Sequence, residues 1–328
     1  MTTLAIEIND CGLQAMRSGA RNEPVLPPSP GYALLENGRI LTGLEAARSA
    51  RLKPRHIHHR FWLQMDRSAL PPPFPSDLTV ADLAHAHLSH VFKESGGQAK
   101  SVILAVTGSW SREQLALALG VARAAGMPVK GLVEAAVAAA AGSSACRRQI
   151  HLDLQLHMVV ATELFLEDDL VWRNVATANG VGLADLHDRW AREIAALFIQ
   201  ETRFDPFHAA GSEQSLYTQL PGLCQQITKL GQAVVSMPSA GKEQAITLDK
   251  EAMSQAVSDA YEAIVRLLQP LLEGAPETAL LVSHHMASLP GLVRLLHRRF
   301  NLEPTLLPAL ATLRGALLNR QIIQSEGE

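Results

Sequence analysis

Four polar side chains at every second position raise the first question of chemistry. In HLDLQLH, residues 151–157, His151, Asp153, Gln155 and His157 alternate with Leu152, Leu154 and Leu156. In a strand, a period of two places the polar groups on one face and the leucines on the other. Two imidazoles and a carboxylate on one face suit zinc. The same alternation is that of an ordinary half-exposed strand. The second reading is preferred here, so no metal is expected.

Other candidates have plainer explanations. His56, His58 and His59 lie in the basic run RLKPRHIHHRF and are expected on a solvated surface. His85, His87 and His90 lack the i, i+4 spacing that sets two ligands on one helix face. His284 and His285 follow an apolar run and either line a cleft or cap the next helix. Ser109 and Ser111 sit in a turn without the glycines of a nucleophile elbow. Ser111, three residues before Gln114, is a helix cap. Asp185 and Asp188 fit the first turn of a helix, where the dipole favours acids.

Bulk properties exclude several functions. The 328 residues carry 29 Lys and Arg against 32 Asp and Glu, so no basic nucleic-acid footprint is present. Cys11, Cys146 and Cys224 are far apart and odd in number, which excludes a disulfide framework and fits a reducing cytosol. The start, MTTLAIEIND, lacks the features of a signal peptide. The run GLVEAAVAAAAG contains Glu134 and is too short to span a bilayer. A cytoplasmic protein without a membrane span is expected.

The elements that would position these residues occur twice. SVILAVTG is a buried strand, followed by a helix with Ser111 and Gln114 at its start and Gly126 and Pro128 past its end. PVKGLV is a short strand, and EAAVAAAAG a second helix. Residues 278–320 repeat this order as TALLVS, LVRLLHRRF, PTLLP and ALATLRGALLNR. Each half also begins with antiparallel strands: LAIEIND, LQAMRSG and YALLENGRILTG in the first, HLDLQLH, MVVATELFLED and LVWRNVATA in the second. The class is therefore α/β, with mixed sheets flanked by helices. LPPPFPS is a rigid break before a long amphipathic helix.

VILAVTGSWSREQLALALGVARAAGMPVKGLVEAAVAAAAG, ILTGLEAARSARLKPRH and LLVSHHMASLPGLVRLLHRRF, in this order and spacing, resemble the nucleotide-binding domain of the 70-kDa heat-shock (DnaK-like) chaperones. That resemblance runs nearly end to end. It implies the duplicated two-lobe, ribonuclease H-like fold of the actin-like ATPases. The first lobe would be 1–148 and the second 149–328, with a small helical subdomain around 190–255 and no peptide-binding domain.

The resemblance also implies where ATP would bind, and there the glycines are missing. Glycine lets the backbone approach phosphates with its amides pointing inward. In the first hairpin Glu7 takes the family's aspartate position, Asn9 its glycine, and Asp10 and Cys11 its two threonines. In the second, Asp153 is kept, while Gln155, Leu156 and His157 replace three glycines. His284 and His285 replace the adenosine-side glycine pair. The catalytic lysine falls near His59, and the catalytic acid at Glu134.

These replacements imply a degenerate, non-hydrolysing scaffold or regulator that acts through protein partners. No cofactor is expected, and ATP with Mg would bind only weakly. A divergent ATP hydrolase of chaperone type, or a small-molecule kinase or phosphatase, are the alternatives. The partner surface is expected in the basic run from Arg51 to Arg67, with Phe61 and Trp62, and in LPPPFPS.

Overall fold

The computed structural model describes residues 2–19, 23–143, 146–239, 241–274 and 277–325. The outer limits set for the two lobes, residues 1 and 328, lie outside them. The first half contributes strands β1 (Thr3–Ile8), β2 (Gln14–Arg17), β3 (Ala33–Glu36), β4 (Arg39–Thr42), β5 (Ile57–His58), β6 (Ser101–Val106) and β7 (Val129–Glu134). The second contributes β8 (Arg148–Leu154), β9 (Met158–Leu166), β10 (Leu170–Asn179), β11 (Gln232–Ser239), β12 (Lys242–Asp249), β13 (Thr278–Val282) and β14 (Thr305–Leu306).

Two mixed sheets organise the protein. The first has the order β2-β1-β6-β7, with β1 antiparallel to β2 and parallel to β6. The second has the order β10-β9-β8-β13-β14, again antiparallel at one end and parallel at the other. Its order repeats that of the first, with β10 added at the antiparallel edge. Among the described residues the first sheet has four strands. The strands β3 and β4 instead form a separate small sheet with β5. Their hairpin turns at Asn37 and Gly38, which both have positive φ, the backbone an Asn-Gly pair supplies in a two-residue turn.

Alternation along β1 serves both faces of its sheet. Leu4, Ile6 and Ile8 join Leu104, Leu83 and Leu88 in one core. Ala5 on the opposite face packs with Ile103, Leu313 and Ala316. The latter two belong to helix Ala311–Leu318, from the far end of the chain. Conversely, helix Ala135–Ala140 of the first half packs with Leu164, Leu281 and Leu307 of the second. The two helices cross at Gly315, where an added Cβ would fall 1.8 Å from the Ala138 carbonyl oxygen. Only a residue without a side chain permits that approach.

The second half holds a larger core around helix Leu183–Thr202, which buries Leu186, Trp190, Ile194 and Phe198 on one face. Trp190 Nε1 donates to the Met253 carbonyl at 2.7 Å, satisfying a polar atom that burial would otherwise strand. The segment expected to be a helical subdomain also contains the antiparallel hairpin β11–β12 beside helix Ala210–Leu230. No described helix is long and apolar enough to cross a membrane.

Candidate functional site

The strands β1 and β8 end side by side, and the residues after them meet. HLDLQLH is a strand only to Leu154; residues 155–157 form the turn into β9. The four polar side chains therefore do not share a face, and the stretch is buried throughout rather than half-exposed. The turn's carbonyls accept the opening amides of helix Leu183–Thr202, Leu183 N to Gln155 O and Ala184 N to Leu156 O. Gly182 makes this possible, since a Cβ there would lie 2.4 Å from the His157 backbone.

Side chains of Asn9, Asp10 and Cys11 join the two turns. Asn9 Nδ2 donates to Asp153 Oδ2 at 2.9 Å and to the Leu154 carbonyl at 3.0 Å. Leu156 N donates to Asp10 Oδ1 at 2.6 Å. The Cys11 thiol reaches the Leu154 carbonyl at 3.4 Å, and its amide donates to Asn9 Oδ1. Gln155 Nε2 also points at Asp153 Oδ2. Asp10 thus takes up the Leu156 amide of the opposite turn.

What remains of the seam is a cavity of about 30 Å³, lined by Glu7, His151, Asp153, His285 and Thr312. That is room for a water, whereas ligand pockets run to about 300–1,000 Å³. ATP with Mg does not fit the residues present. His284 is exposed beside the cavity and His285 half-buried within it. Both stand at the start of a short helix capped by Ser283, so they line the seam and begin a helix at once. His151 Nε2 is buried without a protein partner. Among the described residues no three His, Cys, Asp or Glu side chains are placed to hold a metal ion. The His151, Asp153 and His157 set is pulled apart by the turn.

Burial sets the protonation of this region. Glu7 is pushed up to about 7 by burial and by the nearby Asp153, against a hydrogen bond from Thr312. Asp10 rises to about 7 through burial, opposed by the Leu156 amide. Glu134 also rises to about 7 by burial, although it accepts from Val137 N and Gly108 N. Its carboxylate caps helix Ala135–Ala140, so Glu134 is a helix cap. Burial also raises the Cys11 thiol well above its ordinary value, which leaves it a poor nucleophile.

His59 is not on a solvated surface. Its ring stacks on His157 at 4.9 Å between centroids, with Nδ1 3.0 Å from His157 Nε2. His157 Nε2 is also 2.8 Å from the His59 carbonyl. A carbonyl only accepts, so His157 carries its proton on Nε2 and His59 Nδ1 is bare. Burial and the neighbouring His157 lower His59 to about 3. Burial lowers His157 as well, so neither imidazole supplies a cation at neutral pH.

Nearby, Arg51 pairs with Asp188 and Glu213, and its guanidinium lies 3.6 Å from the centre of the Tyr217 ring. Tyr217 donates to the same Asp188, and Gln214 accepts from the Arg51 amide at 2.8 Å. Arg51 is therefore a clasp between the halves and not a free interface residue. Asp185 does accept from the Gly182 amide, as first-turn placement requires. Asp188 serves the clasp instead. Phe61 and Trp62 are buried in the first core. Trp62 donates to His87 Nδ1 at 3.0 Å, and His87 Nε2 meets Ser29 Oγ at 2.8 Å. The clasp spans 137 residues of sequence and left no local signal. His87 had one, since it falls between Leu83 and Val91 on the buried helix face.

The chain matches no protein-family model, and no curated protein matches it.

Proposed function

We propose that this chain is a two-lobe, actin-like ATPase fold of the heat-shock chaperone branch whose nucleotide cleft has been closed by its own side chains. It acts as a non-hydrolysing scaffold or regulator through protein partners in the cytosol. The lobes meet near residue 148. The repeated strand order and the helix exchange at Gly315 support the duplicated arrangement. The observation that carries the function is the seam itself: Asn9 bound to Asp153 and Leu154, and Asp10 bound to Leu156. Of the positions that would need a bare backbone near phosphate, Asn9 bonds the opposite turn, Gln155 bonds Asp153, and His157 meets His59.

Nucleotide entry would have to break these contacts first. Hydrogen bonds to charged groups contribute about 1.5–3 kcal/mol each. Breaking two weakens affinity on the order of a hundredfold or more. Calorimetric titration with Mg-ATP is expected to give no saturable heat below about millimolar concentration. A micromolar dissociation constant, or ATP retained through purification, would return the chain to the ATP-binding enzymes.

A further inference from the structure

The first half carries a groove of about 940 Å³, away from the seam, between helices Val80–Glu94 and Arg112–Ala124. Met65, Leu117 and Val121 contribute apolar side chains to its lining. Ala116, Gly120 and Ala124, one turn apart, leave one wall of it bare and exposed. A Cβ built on Gly120 meets nothing within 4 Å. An occupant's backbone can therefore approach this helix closely, as in helix-in-groove recognition.

Charge is gathered at one end. Asp82 lies in the first turn of one helix and Glu113 in the first turn of the other. Asp66 lies in the neighbouring segment, which Gln114 ties to the second helix through the Leu63 and Gln64 carbonyls. Against these three carboxylates the lining offers one guanidinium, Arg67. Hydrogen bonding from Ser111 keeps the Glu113 carboxyl below its ordinary range, so it is ionised at neutral pH.

We infer that this groove docks an amphipathic segment of a partner protein, with an aliphatic ridge along the helices and Lys or Arg side chains at the acidic end. Opposite charge at the rim sets orientation and encounter rate, while the apolar floor supplies affinity. The inference gives the proposed scaffold a partner surface. It uses none of the seam residues, so ATP binding at the seam would sink the functional proposal and leave this one standing.

The probe is a short labelled peptide with a leucine ridge and lysines clustered at one end, followed by fluorescence anisotropy. Saturable binding at micromolar concentration is expected. Gly120→Phe fills the groove on a helical position with open space around it, and should weaken binding by at least about tenfold. Its thermal midpoint checks that the fold is intact. Glu113→Lys should weaken binding and reduce its salt dependence. The same peptide with glutamates for lysines should not bind. Equal binding by Gly120→Phe, equal binding of the glutamate peptide, or no binding of the lysine peptide would overturn the inference. So would self-association of the protein that Gly120→Phe abolishes, because the occupant would then be a second copy.

Discussion

Replacing His87 with leucine should destabilise the protein strongly at neutral pH and much less in mild acid. His87 is fully buried, with Trp62 N–H on Nδ1 and Ser29 on Nε2. An indole nitrogen can only donate, so Nδ1 carries no proton, and the ring is the neutral Nε2–H form. Burial lowers its pKa from 6.5 to about 3. The folded state therefore binds fewer protons than the unfolded chain between these values. Stability from this group is complete above pH 6.5 and is lost as pH falls toward 3. At pH 5 the loss is about 1.5 pKa units at about 1.36 kcal/mol each, or ~2 kcal/mol.

His87→Leu strands the Trp62 donor and the Ser29 acceptor, at about 1–3 kcal/mol each, so a total near 3 kcal/mol is expected at pH 7.5. The leucine cannot titrate. The difference between the two proteins should then shrink to about 1 kcal/mol at pH 5. Urea unfolding at both pH values measures it, and the other histidines cancel because both proteins carry them. A difference that stays constant between pH 7.5 and pH 5 would refute the reasoning.

Two further substitutions probe the seam and the crossing. Asp10→Asn keeps an acceptor for the Leu156 amide and removes a carboxyl raised from 3.8 to about 7. The folded state holds that proton, so wild-type stability falls as pH rises through this window, and the variant should be the more stable by on the order of 2–4 kcal/mol at pH 7.5 and equal near pH 4. Paired pH-dependent unfolding curves that do not separate would reject it. Gly315→Ala places a methyl group against the Ala138 carbonyl and should lower stability by about 1–3 kcal/mol or more, read as a drop in thermal midpoint. An unchanged midpoint would mean that the crossing relaxes freely.

What could be read in advance was local. Ser111 and Gln114 bond each other's backbone amides as a capping box, and Gly126 takes positive φ just past the same helix. Both features are complete within a few residues, so sequence suffices. The alternation in HLDLQLH failed differently. It runs on unbroken through Leu154, where the strand stops, because Leu156 and His157 are held by partners from elsewhere. The Leu156 amide donates to Asp10, 146 positions away, and His157 leans on His59, 98 positions away. Period alone does not see a turn whose stop signal lies in another segment. The same limit applies to β3, whose apolar residues suit the large sheet equally well but pair with β4 and β5.

The exchange of helices between the halves has a consequence for how the chain is made. On a ribosome the first half emerges whole, yet the face of its sheet around Ala5 and Ile103 is covered by Leu313 and Ala316. Those residues leave the tunnel only after the strands β8 to β14 of the second half. Until then an apolar sheet face stays bare, a state open to aggregation and to chaperone capture. The contact also joins residues distant in sequence, which favours slow completion. The first half should therefore gain full protease resistance only once helix Ala311–Leu318 has emerged, and not on its own.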